Sequence, residues 1–145
     1  MSRGRGWNEE SLSENPAVAH LERLGWTYVP TDVLDEQRES LKQVVLVPRL
    51  SAALKKLNPW ISDDNVHKAV RAITGVQASS LIEASEKLHT TMTYGVALEQ
   101  DRGDGKKSHL VSFFDFDDPS ANEFVVTRQF KVHGTKKNIR TDVMC

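Results

Sequence analysis

The apolar residues of this 145-residue chain change period near residue 91, and that switch constrains the fold more than any single motif. Before it they recur every three or four positions, the spacing that gives an α-helix one apolar face. After it they alternate, the spacing of a half-buried strand. Ala17, Leu21 and Leu24 predict a short amphipathic helix that stops at Gly25, with Ser11 and Ser13 as candidate caps and Asn15-Pro16 in cap-then-first-turn order. Leu46, Leu50, Ala53, Leu54 and Leu57 predict a second helix, with Pro48 near its start and Asn58-Pro59 as its stop. A third starts at Ser62, carries Asp63 and Asp64 in its positive first turn, buries Val66, Ala69, Val70 and Ile73, and stops at Gly75. Ser80 to Glu83 forms a capping-box pattern ahead of a fourth helix running towards Thr90.

Trp26 to Val29, aromatic and β-branched between Gly25 and Pro30, reads as a short strand or extended packing segment, and Asp32 to Ser40 is ambiguous between helix and loop. Beyond residue 91 three strand-like runs follow, Thr93–Glu99, His109–Phe116 and Glu123–Val132, joined by turn-forming clusters at 101–105 and 117–122. Links that short predict antiparallel neighbours. A fourth run, Ile139–Cys145, ends without a closing turn, so the chain reads as cut off inside a domain. The expected organisation is a flexible arm over residues 1–12, anchored by Trp7, and one domain over 13–145. The fold class is α/β, or α+β in detail: a helical N-terminal half packed on a mainly antiparallel sheet.

Charge narrows the function. Nineteen basic residues against twenty acidic give a net charge of -1, which argues against nucleic-acid binding by bulk charge. Lys106-Lys107 and the cluster of Lys131, Lys136, Lys137 and Arg140 read, on composition alone, as solvated surface. Cys145 is the sole cysteine, so disulfides and Cys-rich zinc sites are excluded and a cytoplasmic setting is expected. No stretch of about 18 consecutive apolar residues exists, and no membrane partner is expected.

The five histidines show no H-E-x-x-H spacing, and neither a phosphate-cradling glycine loop nor a G-x-S-x-G elbow occurs. Carboxylates offer more, because Mg²⁺-dependent phosphodiester cleavage needs two or three of them to hold the ion and a lysine to assist the attacking water. Asp142 stands in the apolar run Ile139 to Met144. By spacing alone it is an edge-strand acid facing water.

The order of short blocks along the chain adds a resemblance. Leu21-Glu22-Arg23-Leu24-Gly25-Trp26, then Arg38, Val45-Leu46 and Leu57-Asn58-Pro59, then Gly95-Val96, Phe114-Asp115-Phe116, Asn122-Glu123-Phe124, Gln129-Phe130-Lys131-Val132 and Arg140-Thr141-Asp142-Val143 resemble the N-terminal region of type I restriction enzyme R subunits. The resemblance implies an incomplete restriction-endonuclease-like core of the PD-(D/E)xK type. Asp142 matches its metal-binding catalytic aspartate, with Thr141 in place of the usual proline, and Glu14 matches its helical glutamate. Gln129 matches too, its amide positioning DNA or supporting the site, with a cross-strand structural glutamine as the alternative. The resemblance also makes DNA the partner of Lys131, Lys136, Lys137 and Arg140.

In that family the nuclease uses Mg²⁺, a motor absent from this chain uses ATP, and methyltransferase and specificity subunits complete the complex. The family's Glu-x-Lys occurs nowhere in the 145 residues. The sole D/E-x-K triplet, Asp104-Gly105-Lys106, reads as a turn. The expectation is a nuclease region that is inactive by itself; the rival is a non-enzymatic module that binds protein or DNA.

Overall fold

The computed structural model describes residues 10–145, which form two compact units: residues 10–44 with Phe124–Cys145, and Val45–Glu123. Most of the arm expected at 1–12, and its proposed anchor Trp7, lie outside the described residues. Among those residues the elements are α1 (Asn15–Arg23), β1 (Thr27–Tyr28), α2 (Thr31–Asp35), α3 (Val47–Leu57), α4 (Asp63–Thr74), α5 (Leu81–Tyr94), β2 (Val96–Asp101), β3 (Lys106–Val111), β4 (Val125–His133) and β5 (Asn138–Met144). The fold is mixed α/β, with five α-helices and two small sheets among the described residues. None of these helices is long and apolar enough to cross a membrane.

The first unit is built on β4, whose β-branched run supplies the central strand of a sheet ordered β1-β4-β5. β1 pairs with it in parallel through Thr27↔Val125 and Tyr28↔Val126, and β5 pairs antiparallel. Val18 of α1 and Leu34 of α2 are buried, as are Val126 and Phe130 of β4. A buried arginine ties the loop after α2 to that strand. Arg38 lays its guanidinium 4.1 Å from the Phe130 ring centroid, donates to the Gln43 and Lys131 carbonyls at 2.9 and 3.0 Å, and pairs with Asp35. Ring stacking, the two carbonyls and the Asp35 carboxylate are what allow a cation into such a place, with the buried Nε left without a partner among the described residues.

In the second unit α3 and α4 pack their apolar stripes together over the β2–β3 hairpin, burying Leu54, Val66, Ala69, Val70, Val111 and Phe113. Two buried asparagines close it. Asn58 donates from Nδ2 to the Leu54 and Ser112 carbonyls and accepts the Ser112 N–H, each at 2.9 Å, so it acts as a strand partner for the chain leaving β3. Asn65 donates to the Glu99 carbonyl at 3.1 Å and to Gln100 Oε1 at 3.0 Å. α5 gives way to β2 at Gly95, which has φ 81 and lies so close to the Val111 carbonyl that a Cβ there would sit 2.3 Å from its oxygen. Only glycine fits both conditions.

Several expectations are corrected. Helix α5 continues through Thr93 and Tyr94, so the first strand begins at Val96, where alternation is free of the helix. The second strand starts earlier, at Lys106, and ends at Val111, because Asn58 takes over the backbone groups of Ser112 and the chain turns away. The 117–122 link does not join antiparallel neighbours. β3 pairs with β2 in one sheet and β4 with β1 and β5 in the other, so the single sheet is replaced by two. The link's side chains explain this: Asp115, Asp118 and Asn122 bond to nearby backbone and wind the segment into a short 3₁₀ turn instead of a hairpin. Ser13 is not a cap either, since a π-turn over Glu10–Glu14 runs directly into α1 and Asn15 is already helical. Asp32–Ser40 resolves into the short α2 and a loop.

Two measurements follow. Asn58→Ala leaves the Ser112 N–H and C=O without their partner and should lower stability by about 2–6 kcal/mol, at about 1–3 kcal/mol per orphaned group, in a urea titration. The second concerns the start of α5, where Glu83 pairs with Lys87 and accepts both the side-chain and the backbone donor of Ser79. Lys87 first and Ser79 second hold its carboxyl down at about 2, against an ordinary 4.5. A depressed carboxyl stabilises the folded state above its unfolded pKa, and that contribution is lost as pH falls from about 4.5 towards 2. Glu83→Gln should remove this part of the acid dependence, read as a flatter helix signal by circular dichroism over that window.

Candidate nuclease site

β4 carries a break at its centre. Gln129 has φ 56, the one positive value among described residues other than glycine. The ladder to β5 holds its register on both sides, Arg128↔Val143 and Phe130↔Thr141, which leaves Gln129 opposite Asp142 without a regular pair. Consecutive side chains of an unbroken strand point to opposite faces. Across the break two consecutive side chains instead reach the same target, the start of α1: Arg128 donates to the Asn15 Oδ1, and Gln129 Nε2 donates to Glu14 Oε1.

Glu14 stands at the head of α1 and is buried at 5 % exposure. Among the described residues its side chain has one hydrogen-bonding partner, the neutral amide of Gln129, and no cation. Asp142 lies on β5, the edge strand, and is exposed. It too is in no ion pair among the described residues. Glu14 is thus bonded to Gln129, 115 positions away in the sequence, and Gln129 stands across the β4–β5 register from Asp142.

The basic cluster gathers on the same hairpin. Lys131 and Arg140 are register partners, Lys136 and Lys137 form the turn, and all four are exposed. Two positive charges opposed across a ladder repel one another. None of the four is in an ion pair among the described residues, whereas Lys55, Lys68, Lys87, Lys106 and Lys107 all are. Since side chains two apart on a strand share a face, Arg140 and Asp142 lie on one side of β5.

The carboxylates suit a hard cation only in part. Glu14 is a buried acid with no cationic partner among the described residues, and both acids offer oxygen ligands of the kind a hard divalent ion takes. No group of three or more His, Cys, Asp or Glu able to hold a metal occurs among the described residues. The acids fit the carboxylate share of a Mg²⁺ site and do not complete it. Asp104-Gly105-Lys106 contributes nothing here: it lies in the other unit, in the β2–β3 turn, with Asp104 paired to Lys107 and Lys106 to Glu99 at 3.1 Å.

The sequence reading did not find Asn15 and Arg128 as parts of this arrangement. Asn15 was taken for a helix cap, and Arg128 carries no motif; the available signal was Asn15 directly beside Glu14 and Arg128 directly beside Gln129.

Comparison with known proteins agrees in direction. A type I restriction enzyme endonuclease subunit, MjaIXP, of Methanocaldococcus jannaschii is 29% identical over 136 residues, which is 92% of this chain and 13% of that protein. The type I restriction enzyme HindI endonuclease subunit of Haemophilus influenzae is 27% identical over 134 residues, 89% of this chain and 13% of its own length. This chain thus spans a small fraction of either relative. No solved structure matches it. The pattern of the family described as type I restriction enzyme R protein N terminus matches residues 6–145, and the chain belongs to that family.

Proposed function

We propose that this chain is the nuclease region of a type I restriction enzyme R subunit, built on a restriction-endonuclease-like core, and that its 145 residues cannot cleave DNA unaided. The observation that supports the reading is the bond from Gln129 to the buried Glu14, with Asp142 across the register from Gln129 on a hairpin whose four cationic side chains have no ion-pair partner among the described residues. Glu14 and Asp142 would hold Mg²⁺ by their carboxylate oxygens, and the ion would supply charge stabilisation for phosphodiester hydrolysis. Lys131, Lys136, Lys137 and Arg140 hold the DNA backbone and set the strand against the acids, a role that needs charge and not sequence readout.

The missing function is equally specific. Cleavage also needs a lysine to assist the attacking water, in the Glu-x-Lys that these residues do not contain. ATP belongs to the motor of the parent subunit and is not bound here, and the methyltransferase and specificity subunits are partners of the whole cytoplasmic enzyme. A second reading, a binding module without catalysis, is supported by the unpaired hairpin cations alone. It differs in giving Asp142 no task.

Fluorescence anisotropy and a cleavage assay separate them. The chain with Mg²⁺ should bind duplex DNA in a salt-sensitive way and leave it intact. Replacing Lys131, Lys136, Lys137 and Arg140 together by alanine should reduce the slope of log affinity against log salt by about 3 to 4, at about 0.9 per phosphate contact. In a parent-length R subunit assembled with its partners, Asp142→Ala should abolish cleavage. Retained cleavage in that variant would leave only the binding module.

A further inference from the structure

We propose that an aromatic cleft in the second unit receives an arginine or lysine side chain from a basic segment elsewhere in the R-subunit polypeptide. The cleft has a volume of about 430 Å³ and is lined by the end of α5, Leu110 of β3 and the chain leaving β3. Tyr94, Leu110, Phe114 and Phe116 line it, and Tyr94 is 71 % exposed, Phe116 66 % and Leu110 60 %. Exposed apolar side chains scattered singly are ordinary, whereas several gathered in one concavity mark a surface that takes a partner. The loop that carries the two phenylalanines is fixed in advance. Asn122 accepts the Asp115 N–H at 2.8 Å and donates to the Asp115 carbonyl at 2.7 Å, and the Asp115 carboxylate accepts the N–H groups of Asp117 and Asp118 at 3.0 and 2.9 Å. The two rings stand on either side of that pinned residue with centroids 6.1 Å apart, so binding has little left to order.

Charge identifies the occupant. Asp115 and Asp117 line the cleft, none of its lining residues is basic, and neither aspartate is in an ion pair among the described residues. The C-terminal end of α5, the negative end of its dipole, borders the same cleft and has no basic residue in its last turn. Ring faces are electronegative as well, so rings, carboxylates and helix end all favour a cation. An arginine or lysine fits on both counts, its alkyl stem against Leu110 and the rings and its charged head at Asp117. Exposed rings also suit the bases of single-stranded nucleic acid, but such sites add a basic groove for the phosphates, and Asp115, Asp117 and Asp118 would repel them. The affinity available decides the source. One side chain in an open cleft holds a separate protein only weakly, whereas a segment of the same polypeptide is presented at an effective concentration on the order of millimolar. The matched region is 13% of either relative, so most of such a polypeptide lies outside it. The inference rests on membership of the family and is independent of the tasks given to Glu14 and Asp142.

Photo-crosslinking in a parent-length R subunit assembled with its partners tests this. Benzoylphenylalanine replaces Phe116, the complex is irradiated, and the product is digested with a protease that spares basic residues and read by mass spectrometry. The expected product joins Phe116's position to a peptide of the same polypeptide, outside residues 1–145, that contains arginine or lysine. If that variant does not fold, the same probe at Tyr94 takes its place. Asp117→Lys, combined with the probe, puts like charges together and should lower the yield by about tenfold or more. The Asp117 carboxylate has no hydrogen bond among the described residues, so the exchange leaves the loop's own bonds in place. An undiminished yield in Asp117→Lys overturns the proposal, since an apolar dock would ignore the charge. So does a cross-link to DNA, to a methyltransferase or specificity subunit or to residues 1–145 themselves, and so does the absence of any cross-link. Cleavage by the Asp142→Ala enzyme reports on the nuclease reading separately, because the cross-link does not depend on catalysis.

Discussion

A buried acid with one neutral hydrogen-bond partner among the described residues is the constraint around which β4 is shaped. A polar group taken out of water carries a penalty unless it is hydrogen-bonded. Glu14 meets it, among the described residues, with a single neutral amide. To deliver that amide β4 gives up regular geometry at its centre, and the same break lets Arg128 reach Asn15 one residue along α1. The sheet keeps its register around the defect because Phe130, fully buried beneath the Arg38 guanidinium, pins the strand immediately after it. A core residue thus sits directly beside the irregularity and holds the strand's register.

How much of this could be read from the sequence depended on whether the signal was local. Helices α3 and α4 were legible because each combines a periodic apolar stripe with a chemically specific stop or cap, such as Asn58-Pro59 and the Ser62 hydroxyl that accepts the Asn65 N–H. Strand partners were not. The link from β3 to β4 is as short as a hairpin's, and what diverts it is a set of Asp and Asn side chains bonding to their own backbone, which resembles turn chemistry of any kind. Nor does periodicity say that Val125 will pair with Thr27, nearly a hundred residues earlier.

The site shows the same division. That Asp142 is on a strand and Glu14 at a helix start was legible in the sequence, whereas the bond between Glu14 and Gln129 required the fold. The left-handed glutamine was invisible, because glutamine has no propensity for that conformation and no turn surrounds it. Asn15 and Arg128 were overlooked for a related reason: each makes sense only beside its neighbour, Glu14 or Gln129, once both pairs face one another.

The first unit is discontinuous, made from residues 10–44 and Phe124–Cys145 with the second unit inserted between them. This dictates an order of events. During synthesis α1, β1 and α2 emerge early but cannot complete a sheet until β4 exists, since β1 has no other strand partner among the described residues. The inserted unit, whose helices and β2–β3 hairpin are contiguous in the chain, can form meanwhile. Once folded it turns a long flexible loop into a compact bridge and lowers the entropy that Thr27↔Val125 pairing must overcome. An insertion or destabilising change in the middle of the chain would therefore register as slow closure of the N-terminal sheet, far along the sequence from the lesion.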